Sequence, residues 1–414
     1  MTEQPLENFF TKVINILIFI FPIVIISLQV AGDIVLFIIA MMGIYVAISK
    51  KLSPFAIKDL KVFSYLTMGY FFAVCLSVLF SGQASEIAHY IPRDFYFLFA
   101  PFIALALFTS EVNIKYLIVG IKVSLLILGM IVSYHLLLGV SRPTGVINPG
   151  VFGNLSVSLF FILICFFQHE TLKHKIFSFI SLLSGLFIII ASGTRGAWLS
   201  FLLLSAVYLY FFFKQKNNFR TKTKIITLIV LPILILFGSI NQNIYDRTNS
   251  AYEETSEWFS GNYAHTSVGQ RLIMYSEAIK NIEDVPFFGH GYRTSNLVLF
   301  QNEDDKEYSK FTKQVLAQYN HLHNAYLTQY YNGGIVLLGA LLLVLIVPLI
   351  IFIKANSKDC ENPIFISGAL LTLGYASFGM VNILLGDTYM NGFYVFFLAI
   401  LMLLANKSMK TLDA

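Results

Sequence analysis

Apolar residues along this chain come in long uninterrupted runs separated by short polar turns, without the alternation expected of half-buried surface elements. Twelve runs reach or approach the roughly 20 residues a helix needs to cross about 30 Å of hydrocarbon. They are 13–30, 33–49, 62–80, 92–108, 114–138, 150–168, 176–192, 197–213, 225–240, 325–353, 363–385 and 389–405. Within a bilayer every backbone N–H and C=O needs an internal partner, so such runs are expected to be helices. The expected fold is an all-α polytopic membrane protein of about 12 transmembrane helices. One long interval interrupts the pattern and divides the chain into 1–240 with helices one to nine, a polar loop domain at 241–322, and 323–414 with the last three helices and a tail.

Inside the polar interval, Leu272, Tyr275, Ala278, Ile279 and Ile282 recur at helical spacing. An amphipathic helix lying along the membrane surface is expected there, with Arg271 near its N-terminus, where free N–H groups favour anions. Pro286-Phe287-Phe288-Gly289-His290-Gly291-Tyr292 then breaks the helix in a glycine-containing turn. The interval is expected to form a cap of short helices between spans nine and ten. Residues 303–307 read as a solvated charged run.

Composition supports the membrane class: 57% of the 414 residues are hydrophobic and 12% are charged, against roughly 25% charged in soluble domains. The first run is too long for a signal-peptide core and has no small-x-small cleavage site, so it is expected to stay as a span. Cys75 and Cys165 lie in apolar runs and Cys360 in a lysine-containing loop, which leaves no disulfide or cysteine metal site in the polar interval. The net charge of +5 carries no implication of nucleic acid, because the basic residues sort by membrane side. Lys50, Lys51, Lys58, Lys61, Lys173, Lys175, Lys214, Lys354, Lys358, Lys407 and Lys410 follow even-numbered spans. By the positive-inside rule both termini are cytoplasmic and the polar interval is outside.

On that topology six of the seven arginines, Arg93, Arg142, Arg195, Arg247, Arg271 and Arg293, fall outside and Arg220 falls inside. Topology does not ask for arginine outside. Such residues either snorkel to lipid phosphates or grip an anionic ligand, for which the planar guanidinium fork suits phosphate. Ser192-Gly193-Thr194-Arg195-Gly196 joins two spans at the outer face. It is a tight turn, or a place where backbone approaches a head group closely. His321 and His323 form an HxH pair. On a helix they would face nearly opposite ways and no carboxylates accompany them, so a metal site is not expected. His323 at the start of the tenth span suits a general base, or a structural helix cap. Asn324 would orient either the imidazole or a substrate hydroxyl. Asp387 between the last two spans would pair with an outer arginine or histidine, or simply sit at the interface.

Taken together, Ser192-Gly-Thr-Arg195-Gly-Ala, the Arg142-Pro-Thr-Gly-Val-Ile-Asn-Pro loop, Gln270-Arg271 followed by Pro286-Phe-Phe-Gly-His-Gly-Tyr, and His323-Asn-Ala-Tyr-Leu with Asn332-Gly-Gly-Ile resemble the O-antigen ligase/polymerase superfamily over roughly residues 140–345. The resemblance implies a multi-pass glycosyltransferase of a Gram-negative inner membrane, with its active site facing the periplasm. It would move a glycan from undecaprenyl pyrophosphate to an acceptor, lipid A-core in the case of a ligase, without cofactor or metal. It assigns catalysis to Arg195, Arg271 and His323, and Asp387 more loosely. Arg142, Arg293, Asn324 and His321 join Asp387 as candidate substrate-binding residues. An O-antigen polymerase and a protein O-oligosaccharyltransferase remain alternatives within this chemistry. A transporter or flippase is the alternative of another class, although polar residues gathered on one face, with only Lys122 well inside a span, favour an interfacial enzyme.

Overall fold

The computed structural model describes residues 3–28, 30–80, 91–145, 147–215, 249–250, 252–254, 256, 266–300, 316–317, 319 and 321–413. Among these, all regular structure is helical. The elements are α1 (Glu3–Ser27), α2 (Ala31–Ser49), α3 (Lys58–Phe80), α4 (Phe95–Thr109, preceded by a 3₁₀ turn at Ile91–Asp94), α5 (Ile114–Leu137), α6 (Pro149–Phe166) and α7 (Leu172–Ala191). They continue with α8 (Arg195–Lys214), α9 (Ser267–Lys280), α10 (Ser295–Phe300), α11 (Ala325–Lys358), α12 (Pro363–Phe378) and α13 (Thr388–Asp413). Ten of these segments are long and apolar enough to cross a membrane, and α12 is a shorter apolar helix. The protein is a multi-pass membrane protein. The ninth expected span, 225–240, lies outside the described residues, as do Arg220, Arg247 and the charged run at 303–307.

The expected span at 363–385 is shorter in the structure. α12 stops at Phe378, where tight turns carry Met380 N to Ser377 O at 3.2 Å and Val381 N to Phe378 O at 3.2 Å. Residues 379–387 therefore form an irregular segment leading into α13.

Burial explains why the sequence pattern is apolar all round rather than striped. In α6 every residue from 151 to 166 is buried, and in α13 every residue from 390 to 403 is buried. Such helices need no polar face because protein surrounds them on all sides. The outer helices keep large apolar side chains exposed, including Ile48, Phe72, Met130, Leu199 and Leu343, as suits contact with lipid.

The bundle has two chemically different ends. A helix of α6's length spans about 27 Å. Its first turn contributes to the large polar cavity described below, and Glu170 lies just beyond its far end. At the far end Lys410 pairs with Asp59 at 2.6 Å, Asn406 donates to the Asp59 carbonyl at 2.7 Å, and Cys360 approaches the Lys214 carbonyl. The fully buried Lys122 also faces that end, where Glu170 at 2.5 Å neutralises it. A charge that would be costly alone is thus paired.

The polar interval is tethered to the bundle by a deliberate break in α11. Gly333 (φ −135°) and Gly334 (φ +61°) leave the helical region, which frees carbonyls one turn upstream. The chain at 286–291 fills the gap: His290 N donates to Tyr331 O at 2.8 Å and Gly291 N to Asn332 O at 3.0 Å, while Ser77 Oγ donates to Asn332 O at 2.6 Å. A side chain at Gly334 would overlap the Phe287 carbonyl oxygen. The two glycine motifs are therefore two halves of one joint.

α9 forms as expected, with Thr266 Oγ1 accepting from Gly269 N at 3.1 Å as its N-cap. Its buried face differs from the expected one. Ile273, Met274 and Ala278 pack with Phe300, Leu316, Leu322 and Tyr331 into a second hydrophobic cluster above the start of α11, and Ile279 is left 60% exposed. The stripe is rotated because the helix buries against its own cap and α11, contacts that spacing alone does not reveal.

Candidate active site

Three distant stretches build one wall of a cavity of about 540 Å³. The first is the turn before α8. Gly193 takes φ +59°, which a residue with a side chain adopts only under strain, and it lets the chain reverse so that Thr194 Oγ1 reaches Pro149 O at 2.8 Å. Arg195 then opens α8 facing the cavity. Gly196 is required for packing: a Cβ there would sit 2.7 Å from Val381 Cγ2. The second stretch is the loop before α6, where Asn148 caps the helix by accepting from Gly150 N at 2.8 Å and Arg142 Nη2 lies 3.4 Å from Thr194 Oγ1. The third is α9, which brings in Arg271. Glu254 ties the first and third together, with Oε2 3.5 Å from Arg195 Nη2 and 3.1 Å from the Val268 amide that donates to it.

The histidines stand beside this wall. α11 begins at Ala325, so the expectation that His321 and His323 face opposite ways fails: they precede the helix in a bent segment where His323 takes φ +51°. Both rings line the cavity, with centroids 4.4 Å apart. The unusual backbone is held by Tyr275 Oη donating to His323 O at 2.9 Å and by Ala325 N donating to Gly379 O at 2.7 Å. His323 Nδ1 is buried and has no hydrogen-bond partner among the described residues. Burial, His321 and Arg271 push the His323 pKa down to about 3, and burial with Arg293 and Arg271 pushes His321 down to about 4. Both imidazoles are therefore neutral near pH 7. Burial and Arg195 also lower Arg271, opposed by Tyr275, Glu254 and Tyr319.

A second part of the wall comes from the 3₁₀ turn before α4, the turn before α10 and the segment leading into α13, which supply Arg93, Arg293 and Asp387. Asp94, fully buried, accepts from Tyr292 Oη at 2.8 Å and from Asn391 Nδ2 at 3.0 Å, and the same amide donates to Arg93 O at 2.9 Å. Asn391 Oδ1 accepts from Gly386 N at 3.1 Å, so one network sets all three segments. Arg293 holds φ +64°. Asp387 Oδ1 accepts from Tyr389 N at 3.0 Å and Met390 N at 3.1 Å, which caps α13. Burial raises its pKa, while these two bonds and the charges of Arg93 and Arg293 work against the rise.

Arg142, Arg195, Arg271, Arg293, His321, His323 and Asp387 thus all line one cavity. Asn324 does not. Its side-chain oxygen accepts from Tyr326 N at 3.0 Å and Leu327 N at 3.1 Å, capping α11. Arg93 and Asn154 are among the lining residues that escaped the sequence reading of the site. Arg93 was visible as an outer arginine but stands in no motif. Asn154 was visible only as an amide inside an apolar run; it is buried in α6 with Oδ1 unpartnered among the described residues. All five described arginines line this cavity. Among the described residues no group of three or more His, Cys, Asp or Glu side chains is placed to hold a metal ion.

The fold and site define a class: a helical multi-pass membrane protein with a buried, strongly cationic cavity beside paired neutral histidines. Residues 179–342 match the family described as O-antigen ligase, so this part of the chain is similar to that family. The match takes in Arg195, Arg271, both histidines and the α11 break. The chain is also similar to an uncharacterised protein of Haemophilus influenzae, at 28% identity over 366 residues, 86% of this chain and 89% of the relative.

Proposed function

We propose that the protein is an inner-membrane O-antigen ligase, transferring a glycan from undecaprenyl pyrophosphate to lipid A-core at the periplasmic face. The observation that carries this reading is the convergence of Arg195, Arg271 and His323, from segments far apart in sequence, on one cavity at the arginine end of the bundle. Arg195 and Arg271, with Arg142 beside them, hold the pyrophosphate and stabilise the charge that develops on it. His323 takes the proton from the acceptor hydroxyl as its oxygen attacks the anomeric carbon. The carbon–oxygen bond to phosphate breaks, its electron pair stays with the pyrophosphate, and the anomeric centre inverts. No metal enters this scheme.

The depressed pKa of His323 has a consequence for the order of events. Burial is the larger cause of the shift and persists, but the Arg271 charge that adds to it is neutralised when a pyrophosphate binds, so donor binding makes the imidazole more basic. The base becomes effective when the leaving group is in place.

The lipopolysaccharide profile of a deletion strain tests the reading. Loss of capped lipopolysaccharide with polymerised lipid-linked glycan accumulating is the ligase result; core bearing a single repeat would transfer the reading to a polymerase. Enzyme reconstituted with both lipid substrates should keep turning over in excess chelator. Activity lost to EDTA and restored by a divalent ion would replace the metal-free scheme and bring in His321, His323 and Asp387 as ligands.

A further inference from the structure

The serines of α6 close their hydroxyls on their own helix: Ser156 Oγ donates to Phe152 O at 2.8 Å and Ser158 Oγ to Asn154 O at 3.1 Å. Asn154 behaves differently. It is 2% exposed, and its Oδ1 is buried with no hydrogen-bond partner among the described residues. A buried acceptor left unpaired costs about 1–3 kcal/mol, which an apolar side chain of similar shape would avoid. Gln329 and Asn356 also leave a buried amide oxygen unpaired, but neither lines the cavity, and Asn154 does.

The place of Asn154 on α6 sets it beside the turn that carries Arg195. A Cβ on the preceding residue, Gly153, would lie 2.8 Å from Ala197 Cβ and 3.4 Å from Thr194 Cβ. One turn earlier, Thr194 Oγ1 donates to Pro149 O at 2.8 Å, so the helix and the turn touch along this stretch. Gly150 precedes Asn154 by four residues and shares its face of α6. A Cβ on Gly150 would lie 2.6 Å from Asn382 Nδ2, so the missing side chain makes room for a second amide against the helix. Asn382 also lines the cavity, and its Oδ1 accepts from Ile383 N at 2.9 Å, which leaves its nitrogen as the end presented at Gly150. This face of α6 therefore offers an amide oxygen and an amide nitrogen about one helical turn apart.

The atom left unpaired at Asn154 is an acceptor, so its partner must donate. An ionised phosphate or carboxylate only accepts and does not serve it. A hydroxyl both donates and accepts, so the hydroxyls of one sugar ring can serve both amides. We propose that Asn154, with Asn382 beside it, binds hydroxyl groups of the donor's first sugar, the ring joined directly to the pyrophosphate. A pyrophosphate held at Arg195 places that ring next to α6. This role rests on the reading of Arg195 and Arg271 as the pyrophosphate site.

The test uses the full-length protein in detergent and two lipid probes, undecaprenyl pyrophosphate and undecaprenyl pyrophosphate carrying N-acetylglucosamine, titrated calorimetrically. The glycosylated lipid should bind the wild type more tightly. Asn154→Leu should weaken the glycosylated lipid by about fivefold or more, the scale of one lost hydrogen bond, and leave the bare lipid within about twofold. Its melting temperature should equal or exceed that of the wild type, because the variant removes an unpaired buried acceptor. Asn382→Ala, on a different segment, should show the same selective loss and serves if Asn154→Leu does not fold. Equal weakening of both lipids, weakening of neither, or no gain from the sugar in the wild type overturns the contact. A lowered melting temperature with both lipids bound as in the wild type also overturns it and makes the amide a structural group. Weakened binding of lipid A-core with the glycosylated lipid unaffected overturns the donor assignment of the amides. Bare undecaprenyl pyrophosphate bound equally well by Arg195→Gln with Arg271→Gln overturns the pyrophosphate reading on which the role depends.

Discussion

The two walls of the cavity carry the same residue type and differ in how they are made. The wall of Arg142, Arg195 and Arg271 uses loops with recognisable local chemistry: a glycine turn, an asparagine cap with proline at the first helical position, and a capped amphipathic helix. The wall of Arg93, Arg293 and Asp387 has a local helix cap at Asp387, but its segments are held to one another by long-range hydrogen bonds through Asp94, Tyr292 and Asn391. The first wall is robust in each part, and the second stands or falls as one network. The difference separates loss of chemistry from loss of architecture.

The largest effects belong to the first wall and the base. His323→Ala should lower transfer by about 10²–10⁴, the usual worth of general-base assistance, with membrane insertion and donor binding retained. Arg195→Lys or Arg271→Lys should cost roughly 2–4 kcal/mol of transition-state stabilisation, since a point charge does not replace a bidentate fork. Near-normal turnover by either lysine variant would show that charge alone suffices. His321→Ala removes a neighbour that depresses His323, so the acid limb of kcat/KM should move to higher pH; an unmoved limb would uncouple the pair.

The joint at Gly333–Gly334 should come next. Gly334→Ala combines φ +61° with overlap of the Phe287 carbonyl oxygen and should destabilise the fold by roughly 1–3 kcal/mol or more. Gly339→Ala, five residues along the same helix with open space around it, should be nearly neutral. Equal melting temperatures for the two variants in detergent would mean that the docked loop contributes no stability.

Tyr292→Phe is the sharpest probe of the second wall. It removes the 2.8 Å bond to the buried Asp94 carboxylate and should cost about 1–3 kcal/mol. If acceptor KM rises while donor affinity is unchanged, the two walls are functionally distinct. Equal damage to both would merge them.

Acid should act on the histidine pair. The folded pKa values of His321 and His323, about 4 and about 3, lie below the ordinary value of about 6.5. Between these limits the unfolded chain binds more protons, so their contribution to stability is present above pH 6.5 and is lost as pH falls toward 4 and then 3. The melting temperature of the wild type should drop over that window, and His321→Gln with His323→Gln should flatten the drop. A parallel acid drop in wild type and double variant would remove the histidines as its source. The smallest perturbation tests orientation. In a background lacking Cys75, Cys165 and Cys360, a cysteine replacing the exposed Glu283 should react with an impermeant reagent from the periplasm, and one replacing the exposed Lys173 should not. The opposite pattern would invert the topology.

Much of the fold was legible in the sequence because membrane spans are selected by length and hydropathy, which are local. The eleven expected spans that fall on described residues correspond to helices, with α12 ending early. Gly379 and the turns after it cut that span, and an apolar run does not announce where a turn replaces a helix. The first wall was legible for a related reason: Ser192–Gly196, Asn148-Pro149 and Thr266 to Arg271 are local signals for turns and caps. The histidine geometry was not, because it depends on α11 starting at Ala325 and on Tyr275 holding the His323 carbonyl from another element.

The sequence by itself determined that this chain is a bundle of membrane-crossing helices, where most of them begin and end, and that most lysines lie away from the arginines. Those properties follow from hydrocarbon thickness and from side-chain chemistry, which need no partner. Tertiary structure alone decided which residues meet. A helix apolar all round gives no indication of which face is inward, so Asn154 on α6 could not be seen as part of a site. The stripe of α9 was turned by its packing on α11. Arg93 joined the cavity because a buried aspartate 198 residues from Tyr292 in the chain is close to it in space, and that closeness comes from packing of complete helices.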